Sequence, residues 1–213
     1  MDCCHCEGIE VQFDREKAAK KLDRYRKKGP QKTTRILVDA LTQQGVDGLS
    51  LLDVGGGIGA IQHELIEQGV SQAVNYEASS AYVEACKQEA QRRGHDEHIK
   101  HIRGDFAHIE SQVPEMDIVT LERVICCYPD MPSLVEQSCR KAKRLLGLVY
   151  PHEAWWVKLG IGTIYNLQFK LSGNPFRVFL HPTEEIEGLV EEHGFERRFY
   201  RKTGQWLVAV YGR

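Results

Sequence analysis

The sequence contains little that would place the protein in a membrane, on nucleic acid or in an export pathway. No apolar stretch in it approaches the roughly 18 residues that a helix needs to cross a bilayer. The first residues, Met1–Glu7, lack the basic and apolar regions of a secretory signal. The formal net charge of -2 gives no global attraction to nucleic acid or to an anionic membrane. We therefore expect a cytoplasmic protein with a small-molecule partner, and the oligomeric state is left open.

The cysteine content does not suit a secreted scaffold. The chain has 7 cysteines, an odd number, and they include the adjacent pairs Cys3-Cys4 and Cys126-Cys127. Such spacing makes a poor disulfide framework, so reduced thiols are expected. The run Cys3-Cys4-His5-Cys6 crowds three cysteines and a histidine into four consecutive residues, which does not resemble the usual pairs of Cys-x-x-Cys ligands of zinc, and no metal site is predicted.

What the sequence does contain is the pattern of an α/β domain. At 213 residues, 42% of them hydrophobic, the chain fits one domain with additions. Amphipathic helices predicted over 14–28 and 33–44 make residues 1–45 a helical cap or lid. Over 46–213 strands and helices alternate as in a doubly wound, mostly parallel sheet, and an antiparallel hairpin ends the chain. The predicted strands cover 49–54, 73–76, 98–102, 117–121, 148–150, 195–201 and 205–211; the helices cover 60–68, 79–94, 133–146 and, with Thr183 as N-cap, 183–193.

A glycine-rich segment follows the first predicted strand. Asp53 and Val54 end the strand, and Gly55, Gly56, Gly57 and Gly59 follow at once. Glycine lets the backbone take positive φ and lets a ligand approach the main chain. The order is G-x-G-x-G, which does not have the dinucleotide spacing G-x-G-x-x-G. Acids follow the next strands at Glu77, Asp105 and Glu122, all at the edge of the sheet where α/β proteins bind ligands.

These motifs resemble those of class I S-adenosylmethionine-dependent methyltransferases, over roughly residues 30–213. Asp53–Gly59 is similar to the family's first motif, Glu77 to its ribose-binding acid and Asp105-Phe106 to its adenine-site pair. The resemblance implies a seven-stranded Rossmann-like sheet and S-adenosylmethionine as the cofactor. It also implies that the glycine loop cradles the methionine part and that Asp53 helps to hold its ammonium group. The predicted cofactor-binding residues are Asp53, Gly55, Gly56, Gly57, Gly59, Glu77, Asp105, Phe106 and Glu122.

The segment after the fourth strand carries the clues to the methyl acceptor. It lacks the Asn/Asp-Pro-Pro-Tyr/Phe signature of amino-group methylation on nucleic bases or glutamine, which argues against those acceptors. Around Tyr128-Pro129 it is similar to magnesium-protoporphyrin O-methyltransferases, which act on a porphyrin carboxylate, although Cys127 stands where those enzymes tend to have histidine. The candidate catalytic residues are Cys127, Tyr128 and His152. The apolar segment Trp155–Leu171 is interpreted as a wall of the acceptor pocket or as a helix covering the sheet.

Three functions remain open from the sequence. The first is methyl transfer to an oxygen of a small molecule, for which a hydrophobic character is one option. The second is methylation of a thiol or metalloid, in which Cys3, Cys4 and Cys6 fold over the site to join Cys126 and Cys127. The third is a cofactor-binding module without catalysis, and a nicotinamide enzyme is the more remote alternative.

Overall fold

A computed structural model describes residues 4–106 and 113–213, with burial and side-chain contacts for all of these except 4–7 and 162. The described residues form one sheet of 7 strands in the order β3-β2-β1-β4-β5-β7-β6. The strands are β1 (Ser50–Val54), β2 (Gln72–Glu77), β3 (Ile99–Arg103), β4 (Met116–Glu122), β5 (Ala142–Pro151), β6 (Glu196–Thr203) and β7 (Trp206–Gly212).

Strand direction follows the sequence prediction. Neighbouring strands from β3 to β5 run parallel, and β7 is antiparallel to both β5 and β6. Strand β1 lies between β2 and β4 and is buried along its whole length. Its apolar residues suit this position, and its Asp53 is hydrogen-bonded inside the fold. The prediction of a mostly parallel Rossmann-like sheet with a C-terminal antiparallel hairpin is confirmed.

Helices cover both faces of the sheet. On one face α6 and α9 contribute Leu134 and Ile186 to a core with Leu121. On the other face α3 and α4 contribute Leu37 and Leu65. The helices are α1 (Cys4–Gln12), α2 (Arg15–Lys28), α3 (Lys32–Thr42), α4 (Ala60–Ile66), α5 (Ser80–Arg93), α6 (Met131–Lys141), α7 (Trp155–Val157), α8 (Asn166–Leu171) and α9 (Thr183–Glu192), with a π-helix at Lys158–Tyr165 between α7 and α8. In the described ranges, none of these helices combines the length and the apolar character that crossing a bilayer requires.

Local capping explains several helix boundaries. The side chains of Asp14, Ser79 and Asp130 accept hydrogen bonds from the first turns of α2, α5 and α6. Gly94 ends α5 in the left-handed conformation (φ 71°), which is unstrained for glycine. Together these caps fix where each helix begins or ends relative to the sheet edge.

Two boundary predictions were wrong. The helix predicted over 133–146 ends at Lys141, and Ala142–Leu146 belongs to β5. The apolar residues of that stretch fit a helix stripe, but pairing of Leu146 with Val119 of β4 buries them in the sheet, and this tertiary pairing decides the outcome. The N-cap of α9 is Pro182 rather than Thr183, whose N–H instead donates to the Glu153 carboxylate (3.0 Å).

Candidate active site

The glycine loop lies at the carboxyl end of β1. Gly55 and Gly57 both have positive φ (64° and 59°), and the N–H of Gly55 donates to the Tyr76 carbonyl of β2 (2.7 Å). A Cβ on Gly56 would overlap the side chains of Gln62 and Asp53. The loop therefore exposes backbone to the space above it, as a ligand cradle requires.

Gly59 differs from the other loop glycines in that it serves helix packing. It begins α4 with φ 82°, and a Cβ there would lie 2.6 Å from Cys86 Sγ and 3.1 Å from His63 Nε2. It does not line the cavity described below, whereas the other predicted cofactor-binding residues do. Its place in the loop is explained by close packing of α4 on α5.

Asp53 and Glu77 place two carboxylates beside the loop. Asp53 accepts hydrogen bonds from Thr120 Oγ1 (2.7 Å) and Gln62 Nε2 (3.0 Å), and burial raises its pKa to about 7. Glu77 accepts from the N–H groups of Gly57 (2.9 Å) and Ser79 (2.9 Å), and burial raises its pKa as well. Glu77 is thus held against the loop, where it could accept hydrogen bonds from the hydroxyls of a ribose.

The third acid, Asp105, is hydrogen-bonded to a residue of the segment that follows β4. The Tyr128 hydroxyl donates to Asp105 Oδ1 (2.9 Å) and contacts Oδ2 (3.1 Å). Phe106, which is 4% exposed, packs edge to face on Tyr76 with ring centroids 5.5 Å apart. These contacts give the space beyond Glu77 one polar and one aromatic side, which suits a purine base.

Glu122 and Arg123 form the junction between β4 and the N-terminal helices. The hydroxyls of Thr33 and Thr34 donate to Glu122 (2.7 and 2.8 Å). Arg123 has φ 62°, the single positive φ of a non-glycine residue among those described. Its guanidinium donates to Thr33 Oγ1 (2.6 Å) and stacks on Trp206 at 4.7 Å. The strained backbone is held in place by these contacts.

Two thiols follow Arg123 in a 3-10 turn, Ile125–Cys127. Cys126 Sγ and Cys127 Sγ lie 3.9 Å apart, and both lie within reach of the Arg123 carbonyl (3.6 and 3.4 Å). The hydrogen bond with Cys126, together with burial, holds the pKa of Cys127 well above its ordinary value. Cys127 is therefore a protonated thiol at neutral pH and is poorly suited to be a general base.

The cysteine cluster predicted across the site falls partly outside the described part of the chain. Cys3 is not among the described residues, and the same holds for the side chains of Cys4 and Cys6. In the described part, Cys86 and Cys139 are free and buried. Both serve as small buried residues of the core.

The structure does not bring His152 to the cavity. Its Nε2 bonds to the Gly204 carbonyl (2.8 Å), and its Nδ1 accepts from the N–H of Ala154 (3.3 Å). The ring also packs edge to face on Trp156 at 5.7 Å. With both nitrogens engaged by backbone, His152 fixes the loop after β5 to the hairpin.

These elements enclose a cavity of about 390 Å³. Its floor is the glycine loop with Asp53, Glu77 and Asp105, and its far side includes Cys126, Cys127 and Tyr128. The remaining wall comes from α1 and α2 with the turn between them, the Trp155–Leu171 segment, the irregular segment 172–182 that follows it, and β7. The residues of this wall include Phe13, Lys21, Arg24, Tyr25, Ile161, Tyr165, Phe169, Phe176, Val178 and Trp206.

Part of this wall is not predicted from the sequence. Lys21 belongs to the helix predicted over 14–28 and is not among the predicted site residues, and neither are Phe176 and Trp206. The spacing of Lys21 and Tyr25, one helical turn apart on α2, could have indicated that Lys21 shares the face that turns inward. Nothing local in the sequence points to Phe176 or Trp206.

Comparison with known proteins gives one family match and several structural matches. The O-methyltransferase domain family matches residues 4–151 of the chain. No curated protein sequence gives a match. Among solved structures, magnesium protoporphyrin IX methyltransferase from Synechocystis PCC 6803, solved with bound SAH, is 18% identical over 85% of this chain and 81% of that chain, with a TM-score of 0.67.

Two further solved structures match most of this chain, while the match covers a smaller share of their own chains. An O-methyltransferase family protein from Burkholderia thailandensis is 15% identical over 96% of this chain and 62% of that one, with a TM-score of 0.70. An O-methyltransferase family 2 protein from Planctomyces limnophilus, in complex with apigenin, is 15% identical over 87% and 62%, with a TM-score of 0.62. At such identities the likeness establishes the shared fold.

Proposed function

This chain belongs to the O-methyltransferase domain family, and from that premise we propose that it methylates a carboxylate oxygen of a compact, largely apolar small molecule. Family membership makes the chain an S-adenosylmethionine-dependent methyltransferase, which confirms the enzyme class and the cofactor predicted from the sequence. S-adenosylmethionine supplies an electrophilic methyl group on a sulfonium centre. The choice of acceptor is our inference and rests on the geometry of the cavity.

The cavity is suited to hold donor and acceptor together. The glycine loop, Glu77 and Asp105 lie at one side of it, and the apolar side chains of Ile161 and Phe169 lie at another. Apolar walls with a few placed polar groups are typical of small-molecule sites, and alignment of an acceptor with the methyl group accounts for much of the rate of such reactions. A volume of about 390 Å³ is near the lower end for ligand pockets, which favours an acceptor more compact than a porphyrin.

The single observation that favours a carboxylate is the state of the two candidate bases. His152 has both ring nitrogens bonded to backbone, and Cys127 is held as a neutral thiol. A phenol or an alcohol must lose a proton before or during transfer, whereas a carboxylate is already ionised at neutral pH and needs no base. Arg24, exposed on α2 at the cavity, adds positive charge that would attract such an acceptor.

The test uses S-adenosylmethionine labelled in the methyl group. The protein is incubated with panels of aromatic and aliphatic carboxylic acids, phenols and thiols, and the products are treated with mild alkali. Methyl esters release labelled methanol, while methyl ethers and thioethers keep the label. We expect alkali-labile product from the carboxylic acids, and alkali-stable product from the phenols alone would refute the proposal.

A matched pair of variants ties the product to this site. Glu77→Gln removes the charge that faces the glycine loop and is expected to abolish most turnover. Glu84→Gln changes an exposed acid of α5 whose partner is the neighbouring Gln88, and it should leave turnover unchanged. Equal loss in both variants would show that the assay does not report on the cavity.

A second candidate is transfer to a soft acceptor, favoured by the adjacent thiols of Cys126 and Cys127 at the cavity. Two neighbouring thiols can bind a trivalent arsenical, which would bring a metalloid close to the donor. The same assay with arsenite and small thiols tests it. Alkali-stable label that disappears in Cys127→Ser would support this candidate over the carboxylate.

A further inference from the structure

Lys21 is the one lysine of α2 that lines the cavity. The charged side chains Lys20 and Lys27 pair along the helix surface with Glu16 and Asp23 (2.5 and 2.8 Å). Lys21 instead turns towards the glycine loop. A Cβ placed on Gly57 would lie 3.5 Å from its Nζ.

No acceptor in the described part of the chain forms a hydrogen bond or a salt bridge with Lys21. Its ammonium lies 5.3 Å from the centroid of the Tyr82 ring, and burial lowers its pKa. The charges of Glu77 and Glu122 act favourably on its ammonium, but both carboxylates already accept other hydrogen bonds. Glu77 accepts from two backbone N–H groups, and Glu122 accepts from two threonine hydroxyls. An ammonium that is half-buried without an acceptor is costly, so its position indicates an anionic partner that comes from outside the chain.

The other cations of the cavity are less suited to that partner. The guanidinium of Arg123 donates to Gln31 and Thr33 and stacks on Trp206. Arg24 is exposed. Lys21 alone of these three combines partial burial, a free ammonium and a place above the loop.

We propose that Lys21 binds the carboxylate of the methionine portion of the methyl donor. The inference rests on the proposed function, since it takes the glycine loop as the cradle of that portion. A carboxylate beside Lys21 would form a charge-assisted hydrogen bond in a partly desolvated space, where such bonds are strongest. The contact would also tie α2 to the bound donor, so that the helix carrying Arg24 takes its place when the donor is present.

The experiment compares two ligands on the full-length protein by calorimetry. One is S-adenosylhomocysteine, and the other is its decarboxylated analogue, whose aminopropyl chain keeps the ammonium. Wild-type protein should bind the first about tenfold or more tighter than the second, as expected for a charge-assisted hydrogen bond. Lys21→Met should bind S-adenosylhomocysteine about tenfold more weakly and should distinguish the two ligands by less than about twofold.

Two further variants serve as controls. Lys20→Met removes the neighbouring exposed lysine and should behave as wild type with both ligands. Lys21→Arg keeps the charge and should recover most of the preference for the carboxylate. Thermal unfolding of each variant without ligand shows whether the fold is intact, and methionine and lysine have similar helix propensities.

The outcomes separate this inference from the proposed function. If Lys21→Met keeps the wild-type preference for the carboxylate, Lys21 does not bind it and the inference is wrong. If Lys21→Met keeps its affinity for S-adenosylhomocysteine but has a raised KM for the acceptor, Lys21 serves the acceptor and the inference is again overturned. If the wild-type protein binds neither ligand, the proposed function fails first.

Discussion

The carboxyl group of Asp53 offers a quantitative test of the electrostatics beneath the glycine loop. Asp53 is 1% exposed, and its carboxylate accepts hydrogen bonds from Thr120 and Gln62. The hydrogen bonds favour the ionised form, but burial outweighs them and raises the pKa from 3.8 to about 7. Asp53 therefore titrates close to neutral pH in the folded protein.

The sign of its effect on stability follows from this shift. Because the folded protein holds the proton more tightly than the unfolded chain, the contribution to stability is complete below pH 3.8 and is lost as the pH rises through about 7. The whole difference is worth about 4 kcal/mol, of which about 3 kcal/mol falls between about pH 5 and about pH 8.

The assay is urea unfolding of wild-type protein and Asp53→Asn at both pH values. Asparagine keeps the size of the side chain but does not titrate. We expect the free energy of unfolding of the wild type, minus that of the variant, to fall by about 3 kcal/mol from about pH 5 to about pH 8. Asp23→Asn, at an exposed position paired with Lys27, is the control and should show no such change. A constant difference for Asp53→Asn would refute the assignment of a raised pKa.

Two other predictions concern residues of the loop and of the cavity rim. Gly56→Ala should lower the free energy of unfolding by more than about 1 kcal/mol, because the new Cβ overlaps Gln62 and Asp53, and it should weaken S-adenosylhomocysteine binding measured by calorimetry. The control is Gly188→Ala, in an open helical position of α9. It should leave the free energy of unfolding equal or higher and should leave the binding unchanged. His152→Ala should lower the free energy of unfolding by about 1 to 3 kcal/mol but change kcat/KM less than about threefold, whereas loss of a general base would reduce it about 100-fold or more.

The donor side of the site could be predicted from the sequence because its signals are local. Asp53 and the glycines follow one strand, and Glu77 ends the next strand. Once the strands are known to be parallel, their carboxyl ends meet at one edge and the acids come together. The confirmed fold follows from the pattern of strands and helices, and the confirmed enzyme class and cofactor follow from the resemblance of these motifs to those of class I methyltransferases, while the roles of individual residues stay predictions.

The acceptor side could not be predicted because it is built from distant parts of the chain. Trp206 of β7 reaches the cavity through its stacking on Arg123, which depends on the antiparallel pairing of β5 with β7. Lys21 belongs to a helix whose mixed charges are mostly solvated, and only packing against α5 shows which of them turns inward. The boundary at Ala142 shows the same limit, since its periodicity fits either a helix or a strand and the neighbouring strand decides.

Arg123 connects these two sides, and its contacts explain why its strained backbone conformation is retained. A left-handed conformation at a non-glycine residue costs about 1 to 3 kcal/mol, so the surroundings must stabilise it. The turn directs the carbonyl towards the thiols of Cys126 and Cys127, while the guanidinium reaches Thr33 of α3 and Trp206 of β7. One residue thus fixes the segment next to the acceptor relative to the N-terminal helices and to the hairpin. Since α2 precedes α3 directly and carries Lys21 and Arg24, the position of these two cations at the cavity depends on the same junction that places Cys126 and Cys127 at the cavity.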